Sequence, residues 1–440
     1  MKRSCLFVIF IFIIPFVQLV SAKNPVIKGI GMSDPHIRVF NDTIYLFSGH
    51  DDRPSDKTWV MKDWRVFSSV DLLNWKLRTI IRPEDNYMGK NSTDCWACDA
   101  ATHNGKYYFY FSDQKRSVGV MIADRPNGSY RDALGKPLVS PMHDPTAFVD
   151  DDENRTHYLV YGDKAGGGYN IARLNEDMTS LAEKPISIII TGKEWEEAPE
   201  WMDKNYLFKY KGVYYLSWGR DYATSKNIYG PYRCIGAVGE GFHLNEYAHG
   251  SFFWYKGQFY HIWTYYIKNG YKYRECIITY CHFADDGQIV TDTDYLNKHF
   301  GTGVGQYDAS WPEIQAEWYS EKSKEISIRG SRKAGFELDH IEDGSWVKFS
   351  NLDFGSQSIK RCFSATLSNI SGRGSIEIRS GSLYGELLGI AFFRPVKQTK
   401  GESTISCNLG KVCGKKDIYL KFNGQNSDLL RLDDFYFENK

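Results

Sequence analysis

Asn104-Gly105-Lys106-Tyr107-Tyr108-Phe109-Tyr110 joins a turn to a run of aromatic residues, and the chain carries four counterparts of it. They are Asn41-Asp42-Thr43-Ile44-Tyr45-Leu46-Phe47, Asn154-Arg155-Thr156-His157-Tyr158-Leu159-Val160-Tyr161, Lys211-Gly212-Val213-Tyr214-Tyr215-Leu216 and Lys256-Gly257-Gln258-Phe259-Tyr260-His261-Ile262. Each pairs residues that accept a tight turn with residues that suit a pleated, half-buried surface, which is the signature of a β-hairpin. The copies recur at roughly 45 to 60 residues, the length of one four-stranded propeller blade with its loops.

Around most copies a further strand and turn follow, as in Val66-Phe67-Ser68-Ser69 before Asn74-Trp75 and Tyr222-Ala223-Thr224-Ser225 before Gly230-Pro231-Tyr232. With no long amphipathic helix between them, five such units predict an all-β, five-bladed propeller over residues 23–311. From Glu313 the texture changes to short alternating strands such as Trp346-Val347-Lys348-Phe349 and Ser375-Ile376-Glu377-Ile378-Arg379. Residues 312–440 therefore read as a β-sandwich, jelly-roll-like. At the other end, Met1-Lys2-Arg3, an apolar run from Leu6 to Val20 and Val20-Ser21-Ala22 have the form of a signal peptide cleaved after Ala22. The expected protein is thus secreted or periplasmic, with no membrane span in the mature chain, and monomeric.

Formal net charge is zero, and no basic run is interleaved with aromatics. Nucleic acid is not an expected partner. The 12 Trp and 30 Tyr suit flat contacts with sugar rings as well as a core. Cys95-Trp96-Ala97-Cys98 has no second cysteine pair to complete a zinc site, so no catalytic metal is expected. Cys407 and Cys413 have the spacing of a short disulfide loop, and two free thiols fit equally well.

Carboxylates stand ahead of three of the repeats. Asp34 lies in Met32-Ser33-Asp34-Pro35-His36, Asp144 in His143-Asp144-Pro145-Thr146, and Glu197 in Glu196-Glu197-Ala198-Pro199. A propeller brings the innermost strand of each blade to one axis, so acids from separate blades can converge there. A residue before proline is biased to extended backbone, which would start a strand.

These features resemble glycoside hydrolase family 43, with Trp96-Ala97-Cys98-Asp99 similar to its blade-two segment and Ala248-His249-Gly250-Ser251-Phe252 to blade five. The C-terminal part resembles carbohydrate-binding module family 6 through Gln315-Ala316-Glu317, Asp343-Gly344-Ser345-Trp346-Val347 and Leu432-Asp433-Asp434-Phe435. The resemblance implies an inverting hydrolase of plant cell-wall polysaccharide or its oligosaccharides, foremost an α-L-arabinofuranosidase. A β-D-xylosidase, an exo-galactanase and a non-catalytic glycan-binding propeller are the alternatives. It implies Asp34 as general base, Glu197 as general acid and Asp144 as the residue that orients the acid and raises its pKa. Arg274, Asp99, Trp96 and His249 would contact substrate, and a structural Ca2+ near His249 is compatible with the family. No other cofactor is implied.

The chain departs from the pattern in two places. Counting back from Gly212 without an insertion reaches Asp203 rather than Glu197, and Glu200 lies between them. In the sandwich the family's loop Trp is missing near Phe392-Phe393-Arg394-Pro395, and Arg431 stands near an expected Asn, which leaves Glu317, Trp318 and Tyr319 as a candidate partial sugar face and a purely structural sandwich bracing the propeller as an equal alternative.

Overall fold

A computed structural model describes residues 23–113, 116–199, 202, 204–239, 249–395, 401–425 and 427–440, with the backbone of Val20–Ser21. The predicted leader otherwise lies outside the described residues, as do Glu200 and Asp203. Five sheets follow one another, antiparallel but for the outer pair Ile190–Thr191 and Tyr232–Ala237 of the fourth, and the hairpin at the head of each is one of the five repeats. Their innermost strands are Met32–Phe40, Cys98–His103, Thr146–Val149, Asn205–Tyr210 and Ser251–Tyr255. Each pairs with the Tyr-rich strand after its turn, as in Phe40↔Thr43, His103↔Lys106, Tyr210↔Val213 and Tyr255↔Gln258. The ring closes where blade one meets blade five. Asn24 Nδ2 donates to Ile278 O at 2.9 Å, Val26 N to Cys276 O at 2.9 Å, and Ile37 N to Ser251 Oγ at 3.1 Å.

The aromatic residues are spent largely on the walls between blades. Trp64, Phe109 and Phe111 fill the wall between blades one and two, Tyr110, Leu159 and Tyr161 the next, then Tyr169, Leu216 and Trp218, then Tyr206, Phe252 and Trp263. Truncating one such ring to Ala costs about 3–5 kcal/mol.

The sandwich has two sheets. One runs Tyr307–Asp308, Trp346–Asp353, Lys415–Gly424, Gly374–Ser380, Glu386–Phe393, and the other Ser327–Ser331, Gly335–Ile341, Leu430–Asn439, Ile359–Ser368, Ser403–Val412. One apolar cluster continues from blades one and five into the sandwich interior, through Tyr280, Tyr295 and Trp318 to Leu338 and Phe435. Polar ties accompany it: Gln258 Nε2 donates to Glu317 O at 2.7 Å and Trp318 Nε1 to Asp292 Oδ2 at 2.6 Å. Glu317, Trp318 and Tyr319 are therefore buried in the seam between the domains and do not form a sugar face. All eight described cysteines, Cys407 and Cys413 among them, are free thiols.

Candidate active site

The hairpin register locates the site. Walking back the same number of positions from Phe40, His103, Tyr210 and Tyr255, the residues that close the inner hairpins, reaches Asp34, Ala97, Lys204 and His249. Blade three has a longer hairpin loop and places Asp144 two residues before its inner strand, as Asp34 stands two before His36. Asp34, Asp144 and His249 all adopt the left-handed backbone, with φ of 51°, 58° and 48°. That conformation costs a non-glycine residue roughly 1–2 kcal/mol and clusters at functional sites. It is held by hydroxyl groups of neighbouring strands: Asp34 N donates to Thr264 Oγ1 at 2.9 Å, and Asp144 N to Ser112 Oγ at 2.8 Å.

Apart from Lys204, these lead-in residues line a pocket of about 90 Å3: Asp34, Ala97, Asp144 and His249 stand there together with Trp59, Met61, Trp96, His143 and Arg274. Asp34 is buried. Its Oδ1 lies 2.8 Å from an Arg274 guanidinium nitrogen and 2.7 Å from His249 Nδ1. Burial would raise its pKa, but Arg274 and His249 outweigh burial and hold the carboxyl well below the usual carboxylate range. Asp34 is consequently an ionised carboxylate facing the pocket.

Arg274 is fixed from behind. Asp51 accepts from its backbone N at 2.8 Å, its Nε at 3.0 Å and its NH2 at 3.0 Å, while the Trp59 ring covers the guanidinium at 4.3 Å. Asp144 is buried, with Oδ1 3.2 Å from Ser112 Oγ and Oδ2 3.7 Å from His143 Nε2. The Trp96 ring lies 5.8 Å from that of His143. The pocket can therefore present an ionised base, a second carboxylate, a fixed guanidinium and two indole rings to one small polar ligand.

Two expected residues lie elsewhere. Asp99 is 0% exposed and sits beneath the pocket as an axial staple. It accepts from Arg38 and from the backbone N of Ala100 and Ala147 at 2.7 Å each, and its Oδ1 lies 2.8 Å from His36 Nδ1. Its acceptor capacity goes to the ring of blades, and it does not line the pocket. Glu197 ends a surface helical turn, Lys193–Glu196, with its side chain 67% exposed and 3.5 Å from Lys193 Nζ. The turn is held by a tertiary contact: Lys164 Nζ gathers the carbonyls of Trp195, Glu196 and Ala198. In the blade register the position belongs instead to Lys204.

Asp51, Trp59, His143 and Lys204 were not singled out from sequence. For Lys204 the signal was present, since the hairpin count from Gly212 passes directly over it. Asp51 and Trp59 have none: Asp51 ends the first Tyr-rich strand, Thr43–Asp51, and acts through Arg274, and Trp59 lies in the segment that follows. As for a cation, His249 turns Nδ1 to Asp34. Among the described residues the side chains that converge within 4.8 Å as a His, Asp and Glu group are His282, Asp292 and Glu317 at the domain seam. Among the described residues the donors around His249 do not gather in that way.

The profile of Glycosyl hydrolases family 43 matches residues 22–289, over half of the chain and the whole ring of blades. The chain belongs to glycoside hydrolase family 43. Residues 315–439 match Carbohydrate binding module (family 6). Arabinoxylan arabinofuranohydrolase of Paenibacillus polymyxa is 25% identical over 535 aligned positions, covering 99% of this chain and 80% of that protein. A xylosidase/arabinosidase of Bacteroides ovatus is 26% identical over 266 positions, covering 49% of this chain and 80% of its own. The crystal structure of a family 43 arabinoxylan arabinofuranohydrolase from Bacillus subtilis, in complex with cellotetraose, superposes with a TM-score of 0.54 at 23% identity and covers 96% of this chain and 99% of its own. That likeness extends the family 43 architecture across both domains. Among the described residues no helix is long and apolar enough to cross a membrane.

Proposed function

We propose that this family 43 hydrolase is a secreted, inverting α-L-arabinofuranosidase acting on arabinose-substituted xylan or its oligosaccharides. The observation that carries the chemical part is Asp34. A buried carboxylate kept ionised by Arg274 and His249 is suited to take a proton from water at the sugar's far face. Inversion needs room for that water, with base and acid roughly 6.5–9.5 Å apart.

The acid falls to the segment between Glu197 and Lys204. Glu197 does not line the pocket, and of the two remaining carboxylates the hairpin count favours Asp203, next to Lys204, over Glu200. Asp144 would orient the acid. Its ionised form beside the acid would raise the acid's pKa, as like charges do. Arg274 and Trp96 would hold the glycone, the first by hydrogen bonds and the second by ring stacking.

The glycone is argued from the relatives. An arabinofuranohydrolase aligns over nearly the full length of this chain, whereas the xylosidase/arabinosidase aligns over about half. The test is hydrolysis of aryl α-L-arabinofuranoside and aryl β-D-xyloside, with the anomer followed by proton NMR. Faster release of arabinose of inverted configuration is expected. Preferred release of xylose would replace the glycone, and release from neither sugar nor from arabinan or galactan would overturn the hydrolase reading.

A further inference from the structure

Lys204 occupies blade four's place in the ring of lead-in residues, where blade one has Asp34 and blade five His249. It is 2% exposed. A lysine is rarely so buried unless its ammonium is paired and hydrogen-bonded. Here Nζ donates to Pro145 O at 3.0 Å, Thr146 Oγ1 at 3.4 Å and Asn205 O at 3.2 Å. Two of the three acceptors are the residues directly after Asp144.

The neighbour Asn205 completes the grip. Its Nδ2 donates to Asp144 O at 2.8 Å, and its own carbonyl accepts from Thr146 Oγ1 at 2.8 Å. The dipeptide Lys204-Asn205 thus holds Asp144, Pro145 and Thr146 in sequence. Pro145 has no N–H of its own, and Asp144 is in the left-handed region, so this segment needs hold from outside. The groups facing the ammonium are Asp99 of blade two, Asp144 of blade three, Asp34 of blade one and the Cys98 thiol, with His36 as the neighbouring imidazole. The ammonium therefore stands among three buried carboxylates, of which Asp34 is also paired with Arg274 and Asp99 with Arg38, while Asp144 has neither arginine.

We propose that Lys204 is the positioning residue for Asp144, fixing the backbone that carries it and balancing the carboxylates that meet at the axis. The inference rests on the reading of this pocket as the hydrolytic site. It adds that blade four supplies a buried cation beside its acid.

The experiment compares Lys204→Met, which removes donor and charge, with Lys204→Gln, which keeps an N–H donor, each in the wild-type and the Asp144→Asn backgrounds. Turnover of aryl α-L-arabinofuranoside and amide hydrogen exchange of residues 143–147 are both read. Lys204→Met is expected to lower kcat about 10- to 100-fold with KM changed less than about threefold, the scale of a small misplacement of a reacting group. Lys204→Gln should recover part of that loss, and in Asp144→Asn the Lys204→Met effect should fall to under about threefold. Exchange at Asp144 and Thr146 should quicken at least about tenfold in Lys204→Met. Equal losses in both backgrounds, or unchanged exchange at 143–147, would overturn the proposal. If the wild-type protein hydrolyses none of the substrates while exchange responds as stated, the positioning role stands and the hydrolase reading falls. If Lys204→Met does not fold, Lys204→Gln carries the same comparison.

Discussion

Asp34 and Glu317 are both buried carboxyls, and they are treated in opposite ways. Asp34 meets Arg274 and His249 within 2.8 Å and is held ionised. Glu317 lies in the domain seam, where burial, with Asp292 and Asp433 nearby, pushes its pKa well above the ordinary value, and its Oε2 has no hydrogen-bond partner. Its neighbour Asp292 shows what is missing: it accepts from His282 Nε2, Tyr295 N and Trp318 Nε1, and stays ionised despite burial. Burial alone makes a carboxyl neutral; donors aimed at it keep it ionised, the form in which it can accept a proton. The pocket and the seam differ in donors rather than in depth.

The largest expected effect falls on the pocket. Asp34→Asn should lower kcat/KM by about 10²–10⁴-fold, the usual worth of a positioned general base. Asp203→Asn should lose a comparable factor on a natural glycoside and much less on an aryl glycoside whose leaving group needs no proton. Comparing the two substrates separates acid from base.

Arg274→Met would remove the donor that distinguishes Asp34 from Glu317. It leaves Asp34 and Asp51 buried without their shared cation, so a folding cost of about 3–5 kcal/mol is expected from urea unfolding, along with the loss of activity. Unchanged stability would mean that the pocket carboxylates do not depend on the guanidinium.

The seam predicts an effect of opposite sign. With its folded pKa raised, Glu317 binds its proton more tightly in the folded state. Its contribution is therefore undiminished below the unfolded pKa of about 4.3, and stability falls as pH rises from there towards the folded value. Glu317→Gln should flatten this dependence. It should leave thermal stability near pH 4 almost unchanged and raise it at pH 8, by on the order of 1 kcal/mol for each unit by which the pKa was raised. A loss of stability at pH 8 would show that the ionised carboxylate has a partner in the seam. The smallest effect belongs to Glu197→Gln, which should leave kcat and KM within about twofold, because an exposed pair with Lys193 contributes little.

Much of this was legible in the sequence because the hairpins repeat. A turn followed by Tyr-rich residues can be counted, and the count sets Asp34 and His249 in one register, while Asp144 joins them through the Asp-Pro lead-in that it shares with Asp34. Glu197 was misread because Glu-Ala-Pro matched locally, while the helical turn Lys193–Glu196 and the pull of Lys164 on its carbonyls depend on tertiary contacts. Asp99 has the residue type of a substrate contact, and its complete set of internal donors became visible only with blades one and three in place. Trp318 and Tyr319 read as a sugar face for a related reason. Aromatic residues at the start of a sandwich suit a ligand or a partner domain equally well, and here the partner is blade five.

The central claim is that Asp34 activates water at the floor of the blade register. Its most direct test is Asp34→Ala acting on an aryl α-L-arabinofuranoside with and without azide, a small anion that can attack from the side the carboxylate vacates. Near-complete loss is expected without azide, and recovery with azide that yields arabinosyl azide of inverted configuration. Activity retained without azide, or an azide product of retained configuration, would contradict Asp34 as the base.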